Sequence, residues 1–296
     1  MAKVKAPAFC GIGNEEAEES GAMAGLKKQH ELAVTRKCGL AARCHAKGAR
    51  LEFAILALQY CLPMNGALRL TQSHVRLVHR EIADPGPLPG MAHFTDEDYE
   101  AHIGQFMGER PEGPIYVFAY GSLIWRPAFL PASVAKATAP GWHRSFCLRL
   151  LRWRGTLDVP GLMMQIDAGG VCEGVIQEVA AEDELAVLHG LWRREMTIKP
   201  PGNLPRWIDV EAGGRKLRAI AFTANPESPL YAGALAPDTV AERLATACGQ
   251  WGSGAEYLLH TIASLEREGI HDPYLWDLQE RVAMRIERSF PDACLG

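Results

Sequence analysis

The chain has 296 residues, 48% of them hydrophobic and 22% charged, which is enough to bury the core of one large domain or two small ones. A formal net charge of −4, with no basic stripe and no acidic tail, argues against a nucleic-acid partner. The longest apolar run, 53–64, is too short to cross a bilayer, and no apolar region follows Lys3 and Lys5, so we expect a cytoplasmic protein with no membrane partner.

Residues 1–63 differ in composition from the rest of the chain. They contain nine lysines and arginines against six glutamates, and they show no sustained amphipathic stripe. We predict that they form an extension that is disordered or absent from the natural product, with Met64 as the native start. A helical lead-in, 64–112, then precedes a catalytic domain, 113–290.

The lead-in is predicted to hold two helices. The first begins at the cap Thr71 and runs through Ile82. The second begins at Thr95, which has the spacing of a capping box with Asp98, and it runs through about Met107.

The central part of the chain alternates apolar, β-branched runs with Gly, Pro and Asp turns, a pattern that is typical of strands. Six strands are predicted, over 115–120, 144–152, 162–166, 172–179, 207–211 and 218–223. Helices are predicted over 182–195, 238–248, 255–267 and 273–288, and the first has Leu185, Leu188, Leu191 and Trp192 on one side. The last helix has Asp272 as its cap and Pro273 at its first position. This order predicts an α+β fold, with a mixed sheet closing toward a barrel, flanking helices and a helical carboxy terminus.

The segment 116–125, YVFAYGSLIW, is an apolar strand that runs directly into an aromatic-Gly-Ser turn. Gly121 allows the backbone to approach a ligand closely, and the N–H groups that follow can point at an anionic or carbonyl oxygen. The sequence therefore predicts a binding loop at this point.

Five short blocks stand in order along the chain: FAYGSLIWRP, GWHRSFCLRL, RGT followed by PGL, CEGV, and LWRREM. In this order they resemble the ChaC-type γ-glutamylcyclotransferases, over about residues 68–286. The resemblance implies a γ-glutamylcyclotransferase-like fold and an enzyme that converts glutathione to 5-oxoproline and cysteinylglycine without a metal or cofactor. It also implies that the loop binds the γ-glutamyl unit of the substrate. The loop residues are Tyr120, Gly121, Ser122 and Leu123, which we extend to Ile124 and Trp125.

Cyclisation of a γ-glutamyl amide uses the substrate's own α-amine as the nucleophile. The enzyme has to supply a base, a bent substrate conformation and donors for the developing oxyanion. A partly buried carboxylate suits the role of base, because desolvation raises its pKa. The candidate is Glu195, one turn beyond Leu191 and Trp192. The local pattern by itself favours a Glu195 that lies at a solvated helix end and pairs with Arg193 or Arg194. The resemblance to the family, whose catalytic glutamate matches this position, is what implies that Glu195 acts as base and then as acid.

Tyr231 resembles a family tyrosine that follows the last strand and turns its hydroxyl to the pocket, although a tyrosine close to a glycine is also typical of a packed turn. The segment 197–204 departs from the family pattern, so the preference for substrates beyond the γ-glutamyl group stays open.

The remaining polar residues are assigned structural roles. His143 is predicted to form a backbone hydrogen bond, and 154–156 is predicted to be a turn. Glu173 and Glu178 are oddly spaced on one strand and therefore point to opposite faces.

The eight cysteines are widely scattered with no C-x-x-C pair, and the histidines show no metal-binding spacing, so we predict reduced thiols and no metal site. Cys38, Cys44 and His45 are the one local cluster worth testing for zinc, although their spacing suits none of the usual structural sites.

Two alternative functions stay open. One is the same cyclisation on other γ-glutamyl amino acids or amines, and the other is a non-catalytic regulatory binding protein. The sequence makes no prediction of the oligomeric state.

Overall fold

The computed structural model describes residues 67–293. The predictions for the extension 1–63, for a native start at Met64 and for the cluster at 38–45 lie outside these residues. In the described range, no helix combines the length and the apolar character needed to span a bilayer.

Helices and strands alternate through this part of the chain. The α-helices are α1 (Gln72–Val78), α2 (Asp96–Met107), α3 (Ser122–Trp125), α4 (Glu184–Glu195), α5 (Pro237–Thr246), α6 (Gly254–Arg267) and α7 (Pro273–Ser289). The strands are β1 (Ala92–His93), β2 (Tyr116–Ala119), β3 (Ser133–Leu150), β4 (Gly161–Glu178), β5 (Ile198–Lys199), β6 (Asn203–Ala212), β7 (Arg215–Ala224), β8 (Cys248–Gly249) and β9 (Gly252–Ser253). A short 3₁₀ helix, Ala181–Asp183, precedes α4.

Five of the strands close into a barrel in the order β2-β4-β3-β6-β7. Parallel pairing between β2 and β7, with Val117 opposite Ile220, joins the two ends of the sheet. Because a closed sheet leaves no free edge, β2 is held from both sides up to the predicted binding loop. The mixed barrel and its flanking helices confirm the predicted α+β fold.

Strands β3 and β4 are 18 residues each and pair along most of their length. The prediction was wrong in two respects, because it found only the second half of β3 and divided β4 in two. Gly141, Gly169 and Gly170 adopt φ angles of 83°, 106° and 72° at a shift in the β3–β4 register. Glycine adopts such angles at little cost, so both strands bend together and continue to pair where the sequence pattern indicated a break.

The predicted caps of α2 and α7 are present. The Thr95 hydroxyl accepts from the Asp98 amide at 3.3 Å, and the Asp98 carboxylate accepts from the Thr95 amide at 2.7 Å. The Asp272 carboxylate accepts from the Leu275 amide at 3.1 Å. These local signals determine where both helices begin.

Helix α1 is shorter than predicted. It ends at Val78, and His79 is extended with φ −66° and ψ 136°. The next residue, Arg80, donates from Nη1 to the Thr246 carbonyl oxygen at 3.2 Å. This contact with a distant part of the chain holds an extended segment where the local pattern favoured a helix through Ile82.

Helix α4 packs its apolar face against the barrel. Leu188, Leu191 and Trp192 are buried on this face as predicted, whereas Leu185 is 65% exposed and lies off it. The ring centroids of Trp192 and Phe222, on β7, are 5.4 Å apart. This packing holds the carboxy-terminal end of α4 against the barrel wall.

Candidate active site

A cavity of about 280 Å³ lies where the loop after β2 meets the end of α4. The predicted loop residues that line it are Tyr120, Gly121, Ser122, Leu123 and Trp125. Glu195 lines the same cavity, whereas Ile124 is not among the lining residues. The structure therefore brings the predicted base and most of the predicted binding loop to one site.

Gly121 is closely packed between two side chains of the cavity wall. A Cβ atom at this position would lie 3.0 Å from Met164 Cε and 3.0 Å from Tyr257 Oη. The single turn of α3 follows directly, and the first amides of a helix have no acceptor within it. A side chain at position 121 would therefore press against Met164 and Tyr257, and the amides of Ser122 and Leu123 follow with no acceptor inside the helix.

Glu195 is the last residue of α4, and its side chain is 20% exposed. Asn203 Nδ2 donates to Glu195 Oε2 at 3.2 Å, and Arg194 Nε lies 3.2 Å from Glu195 Oε1. Burial raises the pKa of the Glu195 carboxyl, while the Arg194 charge and the hydrogen bond from Asn203 lower it by less. The carboxyl therefore takes up a proton more readily than an ordinary glutamate does.

Arg194 connects the base to the loop. Besides its contact with Glu195, its Nη2 donates to Ser122 Oγ at 3.1 Å and its Nη1 donates to the Arg126 carbonyl oxygen at 2.5 Å. Arg193, the neighbouring residue, is instead exposed and pairs with Asp96. Of the two arginines that the sequence offered as partners of Glu195, only Arg194 lines the cavity.

Two buried tyrosines complete the inner wall. The Tyr120 hydroxyl donates to the Phe222 carbonyl oxygen at 2.6 Å and lies 3.1 Å from Gln165 Oε1. Burial raises the pKa of Tyr257 to about 12, and the negative charge of Glu195 acts in the same direction. Burial also raises the pKa of Tyr120. Both hydroxyls stay protonated at neutral pH and can donate hydrogen bonds.

A family model described as ChaC-like protein matches residues 115–285. The chain belongs to the ChaC-like family. The glutathione-specific gamma-glutamylcyclotransferase of Escherichia coli is 36% identical over 207 residues, which cover 68% of this chain and 87% of that relative. Glutathione-specific gamma-glutamylcyclotransferase 1 of Danio rerio is 29% identical over 180 residues, which cover 58% of this chain and 90% of that relative. The solved structure of the yeast gamma-glutamyl cyclotransferase specific to glutathione has the same fold, with a TM-score of 0.53 at 22% identity over 59% of this chain and 100% of that one.

In this member of the ChaC-like family, the cavity wall includes Arg154, which the sequence placed in a turn. Arg154 Nη1 donates to Glu256 Oε2 at 2.7 Å and to the Ser253 carbonyl oxygen at 2.9 Å. Its guanidinium carbon lies 5.7 Å from the Tyr257 ring centroid. Sequence reasoning missed this residue because its acidic partner is 102 positions away, although the RGT block that begins with it was among the family motifs.

Tyr231 lies outside the cavity wall, contrary to the orientation expected from the resemblance. Its hydroxyl donates to Asp167 Oδ2 at 2.5 Å, and its backbone forms a bridge with Leu148 on β3. Hydrogen bonding to Asp167 also raises the pKa of Tyr231 to about 12. The nearby carboxylate therefore determines where this hydroxyl points.

The structural roles predicted for the other polar residues agree with their positions. His143 Nδ1 donates to the Gly169 carbonyl oxygen at 3.1 Å. Glu178 accepts from Ser133 Oγ at 2.5 Å, and Glu173 pairs with Lys136. None of these residues lines the cavity.

Proposed function

We propose that this chain is a glutathione-specific γ-glutamylcyclotransferase, which converts glutathione to 5-oxoproline and cysteinylglycine. The relatives from Escherichia coli and Danio rerio have this activity in their names. The observation that most supports it here is that Glu195 lines the same cavity as Gly121, Ser122 and Leu123. A base and an oxyanion site are the two groups that the cyclisation requires from the protein.

Glu195 acts first as the base. The α-amine of glutathione is an ammonium at neutral pH, and it has to lose a proton before it can attack. A carboxylate whose pKa is raised by burial accepts that proton more readily than a solvated one. The freed lone pair then forms a bond to the γ-carbonyl carbon and closes the five-membered ring.

The loop stabilises the tetrahedral intermediate. As the ring closes, the γ-carbonyl oxygen becomes an oxyanion, which the amides of Ser122 and Leu123 can bind beside Gly121. Because Arg194 connects Ser122 Oγ to Glu195, the base and these donors keep a fixed separation. Such fixed geometry lowers the entropic cost of reaching the transition state.

Glu195 acts next as the acid. The protonated carboxyl gives its proton to the cysteine nitrogen as the bond between that nitrogen and the γ-carbonyl carbon breaks. The ring nitrogen then gives its surplus proton to the carboxylate, which passes it to the free amine of cysteinylglycine and is thereby restored. Every atom of 5-oxoproline and cysteinylglycine comes from glutathione, so the reaction consumes no water and needs no redox group. A cytoplasmic location for this reaction stays a prediction.

The test is incubation of the pure protein with glutathione, followed by detection of 5-oxoproline, with γ-glutamyl-alanine assayed in parallel. We expect turnover of glutathione by the natural sequence and a loss of about 100- to 10,000-fold in E195Q, because the amide cannot accept a proton. E182Q is the matched control, since Glu182 is an exposed residue just before the same helix. Full activity in a folded E195Q protein would contradict the role of Glu195, and the absence of 5-oxoproline from the natural sequence would contradict the function.

A further inference from the structure

The outer end of the cavity is lined by Arg126, Pro127 and Trp251. These residues lie close to solvent, with Trp251 53% exposed, whereas Tyr120 and Phe222 are buried at the inner end. The Arg126 guanidinium carbon lies 5.8 Å from the Trp251 ring centroid. The cavity thus has an apolar, hydrogen-bonded inner end and a cationic outer end.

Trp251 is held in place as a platform for this arginine. It lies in the turn between β8 and β9, and its amide donates to the Trp153 carbonyl oxygen at 2.8 Å. The rings of Trp153 and Trp251 are 5.8 Å apart, centroid to centroid. When a guanidinium stacks on an indole ring, its flat face contacts the ring. Its N–H groups then point outward along its edge, where they can bind an anion that lies in the plane of the guanidinium.

Arg126 is the one arginine of the cavity wall whose charge has no acidic partner within residues 67–293. Arg154 pairs with Glu256 at 2.7 Å, and Arg194 contacts Glu195 at 3.2 Å. The described ion pairs include none with Arg126, whose guanidinium contacts Trp251. The cavity therefore has a surplus positive charge at its outer end.

The guanidinium of Arg126 is also unnecessary for the loop that it follows. The Arg126 amide donates to the Ser122 carbonyl oxygen at 2.7 Å, and the Arg126 carbonyl accepts from Arg194. Both contacts belong to the backbone. A change of side chain should remove the charge and leave the loop intact.

The charge of the substrate matches this arrangement. With the γ-glutamyl unit bound at the loop, as the proposed function requires, an extended leaving dipeptide would reach toward the outer end of the cavity. Its terminal carboxylate follows two residues later, about 7 Å away in an extended chain. Glutathione has two carboxylates and one ammonium, so it brings a net negative charge to a cavity with a net positive one.

We infer that Arg126, stacked on Trp251, binds the glycine carboxylate of glutathione and thereby sets the preference for glutathione over γ-glutamyl compounds that lack a carboxylate at this distance. This inference rests on the proposed function, and it assigns the outer end of the cavity to the leaving dipeptide. Arg126 is then a specificity-determining residue, which acts far from the bond that breaks.

The test compares two substrates that differ only at the glycine carboxylate. We would measure kcat/KM for glutathione and for glutathione amide, in which a carboxamide replaces that carboxylate, with the natural sequence and with R126Q, R126K and R193Q. A charge-assisted contact predicts a preference of about tenfold for glutathione in the natural sequence. R126Q should abolish most of this preference, R126K should retain part of it, and R193Q should leave it unchanged because Arg193 lies outside the cavity wall.

Failure of this inference can be distinguished from failure of the proposed function. If the natural sequence forms 5-oxoproline from both substrates with equal kcat/KM, or if R126Q lowers both values by the same factor, Arg126 does not bind the carboxylate and the cyclotransferase activity still stands. If neither substrate yields 5-oxoproline, both proposals are wrong. Thermal unfolding establishes whether R126Q is folded, and R126K, which keeps a cation at this position, provides the same comparison of the two substrates if R126Q is not.

Discussion

The pKa of Glu195 results from opposing effects of its surroundings, which come from α4 itself and from Asn203 on β6. Burial raises it, and a position at the carboxy-terminal end of α4 acts in the same direction because the helix dipole is negative there. The Arg194 charge and the hydrogen bond from Asn203 act against both. The same arginine that fixes the geometry of the base therefore also limits the rise in its pKa.

This balance predicts how activity depends on pH. A general base works only when deprotonated, so kcat/KM should fall as the pH drops through the pKa of Glu195, which lies above the usual value for glutamate. In R194Q the pKa-lowering cation is gone, so the acidic limb of the profile should move to higher pH. The measurement is kcat/KM for glutathione against pH in R194Q and in the natural sequence.

R193Q is the matched control, because Arg193 pairs with Asp96 outside the cavity. Its acidic limb should coincide with that of the natural sequence. A loss of activity in R194Q without any shift of the limb would mean that Arg194 only positions the loop. A shift to lower pH would contradict the electrostatic assignment.

Among the elements, the barrel strands depend on glycine for their close packing. A Cβ atom on Gly174, in β4, would lie 2.6 Å from the Ala119 carbonyl oxygen and 2.8 Å from Phe118 Cζ. Both neighbours belong to β2, the strand that leads into the binding loop. By contrast, Gly190 on α4 has no atom within 4 Å of the corresponding position.

These two glycines give opposite predictions for the same substitution. G174A should lower the free energy of unfolding by about 1–3 kcal/mol, because β2 and β4 have to move apart. G190A should raise it by about 0.4–1 kcal/mol, because alanine restricts the unfolded chain and suits a helix. Chemical denaturation of both variants measures the difference, and a G174A protein as stable as the natural sequence would mean that the barrel adapts without cost.

For the whole molecule, Arg144 is the residue that connects the barrel, the site and the carboxy-terminal helices. Its side chain is 2% exposed, and it pairs with Asp272, the cap of α7, at 2.7 Å. Its Nε donates to the Tyr120 carbonyl oxygen at 2.9 Å, directly before the binding loop, and its Nη2 donates to the Glu173 carbonyl oxygen at 2.5 Å. One buried cation thus links the position of the loop to the docking of α7.

Removing its partner should destabilise the whole fold. D272A leaves the Arg144 charge buried and unpaired, and we expect a loss of about 3 kcal/mol in the free energy of unfolding. D277A is the control, because Asp277 is half exposed and its pair with Arg281 should contribute less than about 1 kcal/mol. Chemical denaturation compares the two, and similar small losses would show that Arg144 does not depend on its carboxylate.

The sequence by itself determined the features that depend on neighbouring residues. Each of these features involves residues only a few positions apart, so local hydrogen bonds and periodicity suffice to predict it. They are the capping box of Thr95 and Asp98, the cap Asp272, the strand before Gly121 and the apolar face of α4. Glu195 was singled out because a short motif matched the family, and its catalytic role stays a prediction. The locality of the signals explains why the predicted caps, strand and apolar helix face are confirmed.

Only the tertiary structure decided which distant charges meet. Four features join residues that are far apart along the chain or depend on the closure of the barrel. They are the pair of Arg154 with Glu256, the pair of Arg144 with Asp272, the hydrogen bond of Tyr231 to Asp167, and the continuous bend of β3 and β4. Closure brings such groups into one low-dielectric space, where their energies depend on distance and burial, and neither quantity can be read from spacing along a chain.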